Sequence, residues 1–199
     1  GKVPDKFAQA LIVFEDKRFY YHFGVDPIAV VRAVVSNIRA GRIVSGASTL
    51  TMQTMRLLAG NKPRTFRQKC WESFLAVIAE IRLGKTQILS LYAAYAPFGG
   101  NVIGIEAASW RYFNRSPASL TWAATLAVLP NQPSLVHPGA NRSVLLKKRN
   151  TLLYMLYEKG TIDAQTLKLS LAEPLPEKPY PLPSGAPHYL ELLKKAHPS

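Results

Sequence analysis

A mainly α fold is predicted for this chain by three observations. Apolar residues recur at helical spacing, capping and stop residues punctuate the segments between them, and the 199 residues contain no convincing period-two strand pattern. That length supports one substantial core, so one domain with at most a second lobe is expected.

Each element has its own signal. The apolar window 7–14 reads as a helix running into Glu15 and Asp16. Asp26 then offers an N-cap, Pro27 suits the first helical position, and Gly41 closes a segment whose Ile28, Val31, Val34, Val35 and Ile38 share one face. Ser48 or Thr49 caps a third helix that ends near Gly60. A fourth runs over 65–83, with Phe66, Cys70, Phe74, Val77, Ile78 and Ile81 expected to face the core and Gly84 to end it. On that expectation Cys70 packs inside and Glu72 points away from the centre of the stripe. Further helices are predicted over 86–95, 102–113, 121–129 and 144–159, the last stopped by Gly160, with turns at 97–100 and 130–133. After Glu173 the composition shifts: six of the 15 prolines fall between Pro174 and Pro187, the mark of an extended, polyproline-like arm. The expected division is therefore a domain over 1–173 and an arm or linker over 174–199. No repeat of solenoid length occurs.

The formal charge of +13 favours an anionic partner: nucleic acid, a phosphorylated substrate or an anionic lipid surface. With 48% hydrophobic residues the chain is far from a disordered basic tail. Its single cysteine excludes an internal disulfide and a cysteine-based metal cluster. His137, His188 and His197 have no metal-site spacing, which leaves any metal ligand unassigned. The most apolar windows, 7–14 and 74–81, are shorter than the roughly 18–20 apolar residues that a spanning helix needs. No secretory signal is visible, and Gly1 reads as the start of an excised fragment.

The distribution of charge is more specific than its sum. From Pro27 to Trp71 there is no Asp or Glu, while Arg32, Arg39, Arg42, Arg56, Lys62, Arg64, Arg67 and Lys69 all fall in that stretch. Glu15 and Glu72 bound it. Cations that hold a polyanion, with carboxylates at the edge to move a proton, form the layout that chemistry on a phosphorylated substrate requires. Taken alone, a Glu-Asp pair after an apolar helix is more often a solvated surface feature.

The motifs in their order decide otherwise. Glu15-Asp16-x-x-Phe19-x-x-His22-x-Gly24, followed by Gly46-x-Ser48-Thr49-x-Thr51-x-Gln53, resembles the first two signature motifs of the peptidoglycan glycosyltransferases, family 51. These form the glycosyltransferase domain of class A penicillin-binding proteins. Gln68-Lys69-Cys70-Trp71-Glu72 resembles the third motif. Leu91-Tyr92 through Phe98-Gly99-Gly100 to Gly104-Ile105 and Ala107-Ala108 resembles the fourth, and Leu126-Ala127-Val128-Leu129-Pro130 the fifth. The resemblance spans about 5–160, and its details are most similar to the 1C subgroup of that family.

The resemblance implies a lysozyme-like helical head with a smaller, membrane-associating jaw lobe, roughly 23–45. It implies an enzyme that polymerises lipid II: the 4-hydroxyl of one sugar attacks C1 of another, and undecaprenyl pyrophosphate leaves with inversion. Glu15 would be the base, and Glu72 would assist at the donor pyrophosphate. Arg32, Arg56, Arg64 and Lys69 match basic positions that hold phosphate, and Arg can do so with a bidentate fork. Ser48, Thr49 and Gln53 combine capping with ligand binding at a helix N-terminus. Asp16 and Phe19 belong to the same motif, and His22 is given a structural place beside Glu15. Arg39, Arg42 and Lys62 are assigned to a solvated face. Phe19, Tyr20, Tyr21, Phe23 and the Ile28 stripe suit a membrane surface, with core packing an equal alternative for the stripe. No cofactor bound by the protein is implied, and any divalent Mg or Mn would travel on the substrate pyrophosphate. The implied partners are lipid II, the nascent glycan strand and the membrane surface, without nucleic acid. The implied setting is the periplasmic face of a bacterial inner membrane, with a transpeptidase domain downstream and sensitivity to moenomycin-type inhibitors.

Four positions depart from the family pattern: Met52, Gln68, Ala94 and Trp122. Met52 is a subgroup feature. Gln68 removes a cation, and Arg67, one position earlier and about 100° round the helix, is the nearest substitute. Weak polymerase activity dependent on Glu15 is expected. Two alternatives compete, a lytic glycosidase on the same kind of fold and a basic helical nucleic-acid binder. The first has no use for the cations flanking Glu72, and the second lacks a recognisable binding motif.

Overall fold

The structure, a computed structural model, describes residues 3–60, 65–99, 102–127 and 141–181. Among them are nine α-helices, and pairing of β type is confined to isolated bridges such as Pro97 with Ile103. The helices are α1 (Asp5–Glu15), α2 (Pro27–Ala40), α3 (Leu50–Leu58), α4 (Phe66–Arg82), α5 (Lys85–Tyr95), α6 (Ile105–Phe113), α7 (Trp122–Ala127), α8 (Arg142–Glu158) and α9 (Ala164–Ala172). α3 packs against α4 and α5, α1 against α7 and α8, and α8 against α9.

One main core joins these pairs. Phe7, Ala10 and Leu11 of α1, spaced to share a face, meet Leu50, Ile88, Tyr92, Phe98, Leu153 and Leu156 there. α2 does not join it. Its cap forms as expected, with Asp26 Oδ1 accepting from the Ile28 N–H at 3.0 Å and Gly41 closing the helix at φ 61°. Yet only Ala33 of α2 is buried, and Ile28, Val31, Val34 and Ile38 stand exposed. Core packing of the Ile28 stripe is thereby excluded.

α4 is turned over relative to the expectation. The predicted core stripe faces largely outward: Phe66 is 84% exposed, Ile81 74%, Phe74, Val77 and Cys70 are exposed as well, and Ile78 is half-buried. Glu72, Ala76 and Ala79 are the buried residues. The reason is the closeness of the neighbours. Gly24 lies against α4 at φ +76°, and a Cβ there would sit 2.5 Å from the Ala76 carbonyl carbon. A backbone approach of that kind admits only a small residue where the two backbones touch, at Gly24 and Ala76.

The helix expected from 102 begins at Ile105. Residues before it fold back, the Phe98 N–H donating to the Val102 carbonyl at 2.8 Å, and Gly104 turns the chain at φ +82° against the Ala94 carbonyl. Tyr112 of α6 braces that turn by donating to the Phe98 and Gly99 carbonyls at 3.2 and 2.9 Å, and its burial pushes the phenol pKa up. α9 lies in a stretch with no predicted helix, and Asp163 caps it by accepting from the Thr166 N–H at 2.7 Å. The expected turn at 130–133 lies outside the described residues.

Residues 174–181 run against the head. Tyr180 exchanges two hydrogen bonds with Arg111, its N–H to the Arg111 carbonyl and the Arg111 guanidinium to its carbonyl, both 2.6 Å. Arg142 donates to the carbonyls of Leu175 and Pro176. A proline-rich segment offers carbonyls with few N–H groups, and arginine offers only donors, so the two are complementary. Arg149, 1% exposed, donates to the Glu173 and Leu171 carbonyls from within α8, and burial lowers its pKa against the opposing effect of Glu173.

Gly24→Ala is expected to destabilise the protein by about 1–3 kcal/mol through backbone strain alone, with the overlap on Ala76 adding to it. Chemical denaturation of the two proteins side by side measures the loss.

Candidate active site

The site is assembled where the C-terminus of α1 meets the N-terminus of α3. Glu15 is the last residue of α1, half-buried, and Gln53 Nε2 donates to its Oε2 at 2.8 Å. Gln53 lies one turn into α3, so the carboxylate is held by whatever fixes that helix start.

Asp16 fixes it. Its carboxylate, 6% exposed, accepts from the Leu50 N–H at 3.0 Å and from His22 Nε2, whose contacts to the two oxygens are 3.1 and 2.9 Å. The Leu50 N–H is one of the orphan donors at the start of α3, and the adjacent carboxylate also suits the positive end of the helix. His22 is buried beside it, with Nδ1 unpartnered among the described residues, and because a carboxylate only accepts, the contact uses an Nε2–H donor. Of the two candidate caps, Thr49 is the one used. Its Oγ1 accepts from the Met52 N–H at 3.2 Å and donates to the Gly24 carbonyl.

A cleft of about 110 Å³ opens beside this junction. Glu15, Asp16, Arg32, Ser48 and Thr49 line it together, as do Lys17, Arg18 and Asp26. Arg18 pairs with Asp26 at 3.3 Å, and Arg32 is exposed at the rim. Behind Glu15 stands Tyr92, 2% exposed. Burial pushes its phenol pKa far up, the Glu15 carboxylate raises it further, and the Arg56 guanidinium opposes the rise. Tyr92 thus remains neutral between a carboxylate and a guanidinium, and Arg56 Nε is buried without a hydrogen-bond partner among the described residues.

The other sequence-predicted positions divide. Phe19 is fully buried and supports the junction from behind. Glu72 is 5% exposed on the inner face of α4, next to the contact of Ser73 with Met52 on α3. Gln68, one turn before Glu72, also turns inward, with Nε2 buried and unpartnered among the described residues. Lys69 is exposed and makes no ion pair with Glu72. Arg67 lines a broad open depression with Thr65, Gln68, Cys70 and Trp71. Arg64 and Lys62 lie outside the described residues, as does most of the fifth motif.

Sequence reasoning missed Lys17, Arg18 and Asp26 as cleft residues, although the first two adjoin the first motif. It also missed Glu80 and Lys85, whose buried pairing links the ends of two helices. The only signal in the sequence was two opposite charges five residues apart across a helix break.

Thr49→Val removes a cap and leaves the buried Gly24 carbonyl without its donor. A loss of about 2–4 kcal/mol in unfolding free energy is expected from the two effects together, and a urea melt checks it.

Comparison with known proteins agrees with the motif order. The family described as Transglycosylase matches residues 1–157. Penicillin-binding protein 1C of Escherichia coli is 40% identical over 193 residues, covering 96% of this chain and 25% of that protein. Penicillin-binding protein 1A of Aquifex aeolicus is 35% identical over 195 residues, covering 97% and 27%. A solved structure of penicillin-binding protein 1A from Haemophilus influenzae aligns with a TM-score of 0.42 at 16% identity, over 74% of this chain and 19% of its own. The chain thus spans about a quarter of the length of the curated relatives it matches. With a family match over most of its residues and a junction built from the motif side chains, the chain belongs to the Transglycosylase family.

Proposed function

We propose that this domain is a peptidoglycan glycosyltransferase that polymerises glycan strands from lipid II. The observation that carries the reading is the placement of Glu15, oriented by Gln53 at the edge of a cleft rimmed by cations. The 4-hydroxyl of lipid II attacks C1 of the growing strand. As that C–O bond forms, the hydroxyl proton passes to the Glu15 carboxylate and the C1–pyrophosphate bond breaks with inversion.

The leaving pyrophosphate carries the charge that develops, and cations placed to meet it lower the barrier. Arg56 has a buried Nε behind Glu15 with no partner among the described residues, Arg32 stands at the rim, and Lys69 lies on the turn before Glu72. Arg64, outside the described residues, belongs to the same proposed set. Glu72 acts at the donor end, where its burial keeps the carboxylate from open solvent. A divalent cation, where used, enters as part of the pyrophosphate substrate. A lytic enzyme cleaving finished glycan would have no comparable need for these cations.

Delivery of a lipid-linked substrate requires a membrane surface. Tyr20, Tyr21, Phe23, the outward stripe of α2 and Ile43 are exposed, and α4 adds Phe66, Trp71 and Phe74. No helix among the described residues is long and apolar enough to cross a membrane. The exposed stripes instead suit insertion at the headgroup level. In this reading the domain works on the periplasmic face of a bacterial inner membrane, residues 23–45 form the membrane-associating lobe, and residues 174–199 lead toward a transpeptidase domain in the whole protein.

Glu15→Gln is expected to lower the rate of glycan polymerisation from lipid II in detergent by about 10²- to 10⁴-fold. Gel analysis of the polymer reads the outcome, and unchanged product length and yield would overturn the assignment.

A further inference from the structure

Behind the cleft, Glu80 and Lys85 form an ion pair that the chemistry above does not use. Lys85 Nζ lies 2.7 Å from Glu80 Oε1, with the Glu80 side chain only 3% exposed and that of Lys85 21%. The same ammonium donates to the His22 carbonyl at 2.7 Å and sits 4.4 Å above the centre of the Phe19 ring. The same Glu80 oxygen accepts from Thr51 Oγ1 at 2.6 Å.

These contacts close a ring. Lys85 holds the His22 backbone, the His22 ring holds Asp16, Asp16 holds the N–H of Leu50, the next residue Thr51 holds Glu80, and Glu80 holds Lys85. Glu15 precedes one member of this ring, Asp16, and its partner Gln53 follows another, Thr51, by two positions. The geometry of the Glu15–Gln53 pair is therefore set by the ring.

Helix stabilisation does not account for the placement of Lys85. It is the first residue of α5, where the helix presents its positive end and a cation is unfavourable. Burial of Glu80 is likewise costly unless every lone pair is engaged. Both costs are incurred at the one point where α3, α4, α5 and the first motif meet.

We infer that the Glu80–Lys85 pair is a positioning device for the reaction: it holds the first motif and the start of α3 in register, so that Gln53 presents Glu15 to the acceptor hydroxyl. The inference rests on the reading of Glu15 as the base. Its signature is a loss of turnover without a loss of substrate affinity, because the pair touches no part of the cleft.

Replacing one partner leaves a buried charge unpaired, so the test uses the double variant Glu80→Gln/Lys85→Met, in which neither remains. Such neutral replacement of a buried pair generally preserves stability. The expected result is a melting temperature within a few degrees of the parent, a kcat on lipid II at least about tenfold lower and a KM within about twofold. A folded double variant with kcat within about twofold of the parent overturns the inference, as does a raised KM at unchanged kcat. Should the double variant fail to fold, Glu80→Gln alone decides: the charge left behind is that of Lys85, whose side chain is 21% exposed and reaches solvent, and the amide oxygen can still accept from Thr51 and Lys85. A kcat lowered by about threefold or more supports the inference, and a smaller change overturns it. Glu15→Gln in the same assay separates the two levels. If it retains parental polymerisation, the reading of the site fails and this inference falls with it. If it is inactive while the double variant keeps parental turnover, only the role of the pair is overturned.

Discussion

The Asp16 carboxylate accepts hydrogen bonds from two groups far apart in the chain, the His22 ring six residues on and the Leu50 backbone 34 residues on. Buried and charged, it cannot exchange these donors for water without cost. That requirement brings the end of α1, the loop after it and the start of α3 to one point. Glu15 and Gln53 then meet because each is within a few residues of that point, not because they attract one another strongly. The cleft, its cationic rim and the buried phenol of Tyr92 are consequences of the same junction.

α4 shows how packing and function share one cause. Its inner face must be small where Gly24 brings the backbone of the first motif against Ala76, and Glu72, Ala76 and Ala79 are its buried residues. The large apolar side chains of the helix are thereby displaced to the outside, Trp71 and Phe74 stacking on each other at 5.5 Å. Together with the outward stripe of α2, they form an apolar exterior that a water-soluble enzyme would ordinarily avoid. Under the function proposed above, a substrate held by a lipid would give that exterior a purpose. The same inversion puts Glu72 inside, the placement on which its proposed role at the donor end rests.

Helix punctuation was legible to within a few residues: the caps at Asp26 and Thr49 and the stop at Gly41 lie where the sequence places them. Periodicity was legible too, but it reports that a face is apolar and not which neighbour covers it. That is why the α4 stripe was assigned to the core when it is exposed, and why Cys70 was assigned with it. α9 was missed although Asp163 followed by Ala164, Leu167 and Leu171 carries a cap and a helical repeat, because Gly160 and the later prolines dominate that region. The motif order located Glu15, Asp16, Ser48 and Thr49 at one cleft. Glu80 and Lys85 were invisible, since a charge pair acquires meaning only when folding buries it among Thr51, His22 and Phe19.

The central claim is that Asp16, through its two donors, sets the contact between Gln53 and Glu15. A crystal structure of Asp16→Ala tests it most directly, because a methyl group can accept from neither the imidazole N–H nor the Leu50 N–H, both of which one oxygen of Asp16 serves. The account predicts that the start of α3 moves away from residue 16 and that the Gln53–Glu15 contact, 2.8 Å in the parent, lengthens beyond the roughly 3.2 Å of a good hydrogen bond. An intact 2.8 Å contact with α3 unmoved in that variant would contradict it.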